Sequence, residues 1–139
     1  MCSRDLISTL LSASLLAPAG VPALAHGEEL YLIMPAIVRS DLDGSNPQLI
    51  EPVNIHCSFD DVSASSAVDA VYWSQTCAGY GSAVYRRRPG AAKETVLAAD
   101  GFITSLSVED SSAKLYYGMS KPNPNGDGFV AEIRRADLV

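Results

Sequence analysis

The sequence predicts an all-β protein built from about three imperfect copies of a four-stranded antiparallel unit, with the first and last copies incomplete. Three observations carry this: an aromatic segment that returns at a near-constant interval, short segments rich in β-branched and aromatic residues, and turn dipeptides between those segments. After the first 25 residues no apolar stripe at helical spacing competes with them.

The interval is read from three elements. Leu30-Tyr31-Leu32 returns as Val71-Tyr72-Trp73 and as Leu115-Tyr116-Tyr117, the tyrosines lying 41 and then 44 residues apart. A second element follows each: Ile37-Val38-Arg39-Ser40-Asp41-Leu42, Val84-Tyr85-Arg86-Arg87-Arg88, and Ile133-Arg134-Arg135-Ala136-Asp137-Leu138. A third precedes the aromatic one, where 54–61 matches 102–110 and Ile55 stands 48 residues before Ile103. The predicted order within a unit is strand A (54–60, 102–108), strand B (29–33, 69–75, 113–118), strand C (36–41, 82–88, 129–135) and strand D (47–51, 94–98). Asp43-Gly44, Pro89-Gly90, Asn125-Gly126 and Asp127-Gly128 supply turns. Along 102–108, Ile103, Ser105 and Ser107 are expected on one face and Phe102, Thr104, Leu106 and Val108 on the other.

Four antiparallel strands per period of about 40 to 50 residues is the arithmetic of a propeller blade. The units fall at about 28–52, 53–99 and 100–139, the first without strand A and the third without strand D. A closed propeller takes about 4 to 8 blades, so this is a partial β-propeller with open edges that invite pairing. A homo-oligomer of two such chains brings together six units.

Val71-Tyr72-Trp73-Ser74-Gln75 and Ile37-Val38-Arg39-Ser40-Asp41-Leu42-Asp43-Gly44 carry a family likeness. The first resembles the Tyr-Trp-Thr-Asp segment, and the second the Ile-x-Arg-x-x-Leu-Asp-Gly stretch, of the YWTD or low-density lipoprotein receptor class B repeat, within the six-bladed TolB-like propeller group. The resemblance covers most of 29–139 and departs at Gln75 and Met119, where the family has Asp. It implies blades that use rim loops to meet partners.

Residues 1–25 read as a secretory signal: Arg4 near the start, an apolar stretch from Leu6 to Leu16, then Ala23-Leu24-Ala25 as the small-x-small end. Residues 26–139 would be the mature, secreted or periplasmic chain, in which no membrane span is expected. Its formal charge is −6, since the leader removes one Arg and one Asp, and this disfavours nucleic acid. Of three cysteines Cys2 leaves with the leader; Cys57 and Cys77 are expected to form a disulfide.

Chemistry-bearing constellations are sparse. Asp41 and Asp43, with Gly44 after them, are weak calcium candidates, since alternating carboxylates suit a hard cation; the position of an EF-hand's closing Glu is taken by Pro52, and a C-to-D turn explains the residues as well. Asp60, Asp61, Asp69, Glu109 and Asp110 are expected at the A-to-B turns of successive units. His56 and Cys57 are adjacent in a predicted strand and so face opposite sides, which argues against a catalytic dyad. There is no phosphate loop, nucleophile elbow or His-Glu-x-x-His. No catalytic residue and no cofactor is assigned. The longer B-to-C loops, 77–82 and 121–128, are where recognition is expected, with Trp73, Tyr80, Asn123, Asn125 and Asp127 as binding candidates. The expected function is a non-enzymatic extracytoplasmic module meeting a protein or glycan. Its alternatives are a remnant or subunit of a propeller hydrolase or lyase with a channel metal, or a truncated copy without function.

Overall fold

The structure, a computed structural model, describes residues 23–26, 29–33, 36–52 and 54–138, so residues 1–22 of the expected 1–25 leader lie outside it and residues 23–25 fall within the described strand Ala23–His26. The described residues form eleven strands in three antiparallel sheets, joined by turns and one 3-10 turn at Asp110–Ser112. β1 (Ala23–His26), β2 (Glu29–Ile33), β3 (Ala36–Asp41) and β4 (Gln48–Pro52) make the first sheet in chain order. β5 (Cys57–Ser65), β6 (Ala70–Cys77), β7 (Gly81–Arg87) and β8 (Glu94–Ala99) make the second. β9 (Phe102–Glu109), β10 (Lys114–Pro122) and β11 (Phe129–Asp137) make the third. The chain divides after Pro52 into two compact units, the first sheet in one and the second and third in the other.

Two expectations about strand A are corrected. The first sheet is not short of a strand, because β1 pairs antiparallel with β2 from Ala23↔Leu32 to His26↔Glu29. Ala-Leu-Ala-His has none of the β-branched or aromatic residues that mark a strand, so only its ladder reveals it. In the second sheet strand A runs over Cys57–Ser65, later than 54–60. Ile55 therefore lies in a turn, fully at the surface, while Ile103 is buried, and their spacing of 48 residues has no structural counterpart.

The register supplies the true equivalence. Ser63 stands opposite Tyr72 and Ser107 opposite Tyr116, a shift of 44 that matches the tyrosines. Each inner strand also carries one extra residue at the same place: Asp60 falls between Phe59↔Gln75 and Asp61↔Ser74, and Thr104 between Ile103↔Met119 and Ser105↔Gly118. Such a bulge breaks the two-residue alternation. That is why Ile103 and Leu106, expected on opposite faces, both enter the core. The outer strands repeat a bulge as well, at Ile50 in β4 and Val96 in β8. Each aromatic strand sets its tyrosine against an arginine: Tyr31↔Arg39, Tyr72↔Arg86 and Tyr116↔Arg135. Arg39 and Arg86 each reach on to the next strand, to Gln48 and Glu94.

The second and third sheets share a core of Ala70, Tyr72, Val84, Ile103, Leu106, Leu115 and Leu138. The edge of β9 that faces β5 is closed by side chains rather than by a strand ladder. The Leu106 amide donates to Asp61 Oδ2 at 2.7 Å and the Val108 amide to Ser63 Oγ at 3.1 Å, so two buried-edge donors are satisfied from the neighbouring sheet.

Candidate functional site

The most exposed large hydrophobic side chains among the described residues lie together at one end of the second sheet: Tyr80 is 92% exposed and Ile55 88%. Local chemistry builds their platform. Asn54 Oδ1 accepts the His56 amide at 3.0 Å and the Asn54 carbonyl accepts the Cys57 amide at 2.9 Å, which folds 54–57 into a turn just before β5. Across from it the Ala78 amide donates to the His56 carbonyl, and the Tyr80 amide to the Cys77 carbonyl. Gly79 and Gly81 flank Tyr80 at φ 80° and 76°, a left-handed backbone that only glycine takes without strain. Cys57 and Cys77 are direct cross-strand partners, bonded as the expected disulfide. Two short turns carrying an aliphatic and an aromatic tip are thereby clamped at their base.

Beneath the platform a hydroxyl chain crosses three strands. Thr76 Oγ1 donates to Asp60 Oδ2 at 2.7 Å and lies 2.6 Å from Ser82 Oγ, which leaves Ser82 as the donor to Thr76. Burial pushes the Asp60 carboxyl above its ordinary range, against the lowering effect of Thr76 and Ser58.

The same end of this unit carries the third sheet's long loop. Residues 100 and 101 lead directly from β8, whose Ala99 stands opposite Ser82, to β9, whose Phe102 stands opposite Ser120. The Gly101 Cα lies so close to the Ser120 carbonyl that an added Cβ would be 2.6 Å from its oxygen. In the 123–128 loop the Asn123 amide donates to the Gly128 carbonyl and Asn123 Oδ1 accepts the Asn125 amide at 3.0 Å. Asn123 is thus the loop's organiser, and Asn125 and Asp127 are its exposed polar side chains. Phe102, half exposed, adds an aromatic ring at this end.

The expected site residues divide accordingly. Tyr80, Asn125 and Asp127 stand at the surface of this end. Trp73 does not: it is 0% exposed in β6, its ring 5.9 Å from that of Tyr85, and cannot meet a partner without unpacking the sheet. Ile55 was hidden by the strand expectation over 54–60, although an Asn two residues before a short polar stretch is a turn signal. His56 likewise lies in that turn, exposed, and not within a strand.

The acidic candidates make local hydrogen bonds. Asp41 Oδ2 accepts from Ser45 Oγ at 3.0 Å and Asn46 Nδ2 at 2.7 Å, while Asp43 Oδ1 accepts the Ser45 amide at 2.8 Å, so both carboxylates hold their own turn. Asp60 and Asp61 lie inside β5 rather than at an A-to-B turn, displaced there by the later start of that strand. Asp110 is at such a turn and accepts from the Ser65 hydroxyl, from Ser66 N and Oγ at 2.9 and 2.8 Å, and from Ala67 N at 3.3 Å. Among the described residues no group of three or more His, Cys, Asp or Glu side chains is placed to hold a metal ion. No helix among them is long and apolar enough to cross a membrane. Neither a protein-family model nor a curated protein matches the chain.

Proposed function

We propose that this chain is a non-enzymatic binding module acting outside the cytoplasm, its sheets serving as blades of a partial β-propeller of the kind the YWTD resemblance implies. The partner is a protein or glycan met at the end that carries Ile55, Tyr80, Phe102 and the 123–128 loop. One observation carries the reading: two large apolar tips, Ile55 and Tyr80, are held in water on turns that a disulfide and backbone hydrogen bonds keep in place. Holding such side chains in solvent forgoes about 1.5 to 3 kcal/mol of burial each, which a partner would recover. Rigid turns also lower the ordering cost of binding, and a tyrosine offers area with few rotamers to lose. Asn125 and Asp127 add hydrogen-bonding groups of the sort that read sugars or peptide backbone.

The test selects binders to the disulfide-intact chain from a displayed peptide library and a glycan panel. Their affinity is then measured for Tyr80→Ala and for Ile55→Ser. A loss of tenfold or more in each variant, with the Trp73 fluorescence unchanged, is expected. Binders indifferent to both substitutions sink the proposal.

A further inference from the structure

The three sheets end differently on their outer side. β4 is five residues long, bulged at Ile50 and closed by Pro52; β8 is six residues long and bulged at Val96. Short length, bulges and proline are the ordinary means of keeping an edge from pairing. β11 has none of them. It runs for nine residues in unbroken register with β10, contains neither Lys nor Pro, and carries three of the seven large exposed hydrophobic residues among those described: Phe129, Val130 and Ile133.

Among the described residues no strand pairs with its outer edge, and the hydrogen-bonding groups on that edge can be assigned. In an antiparallel pair, hydrogen-bonded and non-hydrogen-bonded positions alternate. The Asn123 amide donates to the Gly128 carbonyl at one end of the β10–β11 ladder and the Leu138 amide to the Ala113 carbonyl at the other. With the register between them, the even-numbered residues of β11 turn their backbone groups to β10. The odd-numbered ones, Phe129, Ala131, Ile133, Arg135 and Asp137, turn theirs outward.

The geometry points to a second copy of this chain as the occupant: β11 pairs antiparallel with β11 of another molecule about a twofold axis at Ile133. Charge selects that axis. Outward backbone groups must meet outward groups, so an odd-numbered residue faces an odd-numbered one. An axis at Glu132 would set Glu132 on its own copy, and one at Arg134 would set Arg134 on its own copy; like charges directly opposite are unfavourable. Centring on Ile133 places Glu132 opposite Arg134 of the second copy, twice, and Val130 opposite Ala136. It also stacks the two Ile133 side chains, each 85% exposed in one chain, against each other. Within one chain Glu132 and Arg134 already form a network with Lys121 and Asp100, at 2.8 Å for Lys121–Glu132 and 3.0 Å for Arg134–Asp100. The pairing joins two such networks. The result is one six-stranded sheet with no unpaired β11 edge.

The test is mass against concentration by sedimentation equilibrium, with Trp73 fluorescence as the control for folding. The wild-type chain is expected to be a dimer. Ile133→Pro removes only an outward-facing donor and halves the mass. Glu132→Arg and Arg134→Glu are each expected to be monomeric alone. Mixed in equal amounts they form a heterodimer, since the Glu132→Arg chain sets two arginines against the two glutamates of the Arg134→Glu chain. A wild-type chain that stays monomeric at millimolar concentration, as a different occupant of the edge would leave it, overturns the proposal. So does a dimer that survives each single variant, or a mixture that stays monomeric.

Discussion

The second and third sheets follow the same plan with different outcomes. Their inner strands share a shift of 44 residues, the same bulge, and a Tyr set between a Ser on one side and an Arg on the other. Yet β6 is buried without a break from Ala70 to Gln75, while β10 buries only Leu115 and Met119. The second sheet has an outer strand, β8, and a disulfide; the third has neither among the described residues. The repeat therefore sets strand order and register, whereas burial follows from how many neighbours each sheet has. Stability should be divided unequally between equivalent positions.

The largest difference is expected at the tyrosines. Tyr72 is fully buried in the core and Tyr116, at the same register position, is only half-buried. Truncating a buried aromatic leaves a cavity, so Tyr72→Ala should cost about 4 kcal/mol. Tyr116→Ala should cost about 1 kcal/mol, near the ordinary value for a substitution. Urea unfolding followed at Trp73, the single tryptophan of the chain, measures both. Equal costs would break the comparison, because the two sheets would then be equally packed.

The next difference lies at the inner strands. Asp61 accepts the Leu106 amide across to the third sheet; Ser105 holds the equivalent position one sheet on. Asp61→Ala removes a charge-assisted acceptor and leaves a backbone donor at the sheet junction without it, a cost of about 2 kcal/mol. Ser105→Ala, on an exposed residue, should stay within about 0.5 kcal/mol. Faster hydrogen exchange of the Leu106 amide in the first variant alone would locate the effect at this bond. An unchanged Leu106 amide would mean that β9 is held by the core and not by Asp61.

Much of this plan was legible in the sequence because it rests on local pattern. Strands B, C and D of the units fall within a few residues of their observed bounds, since Tyr, Val and Ile runs between Gly-containing turns carry their own signal. The disulfide was legible from the pairing of two cysteines around one hairpin. Strand A was not. β1 is Ala-Leu-Ala-His, whose composition suits a cleavage site as well as a strand, and β5 was misplaced by the chance spacing of Ile55 and Ile103. The bulges at Asp60 and Thr104 leave no composition signal, and beyond Thr104 the faces expected for Ser105 to Val108 are reversed relative to Ile103. The site was half legible for the same reason. Tyr80 in a Gly-flanked turn is readable as exposed, but whether Trp73 meets a partner or a core depends on what packs over its strand, which is a long-range property.

The smallest difference expected is in the response to acid. At the end opposite Tyr80 the third sheet supports the second through Asp110, whose carboxyl is held below its ordinary value of 3.8, first by the Ser65 hydroxyl and then by the Ser66 and Ala67 donors. A carboxyl depressed by folding contributes stability that is present above its unfolded pKa and is lost as pH falls through the folded one. Asp60, inside the second sheet, has the opposite sign. Burial raises its pKa, so its contribution is present at low pH and lost as pH rises through the folded value. Urea midpoints of the wild-type chain between pH 7 and pH 2 should therefore fall with acid, against a small opposing term from Asp60. Asp110→Asn should flatten that fall, and Asp60→Asn should steepen it. Because Asp110 is only half-buried, its effect will be the weaker at high salt, where screening reduces what a partly exposed carboxylate gains from its donors. If both variants flatten the curve, Asp60 is held by Thr76 more strongly than burial opposes it. The second sheet would then draw acid-sensitive stability from its own hydroxyl chain as well as from its neighbour's turn.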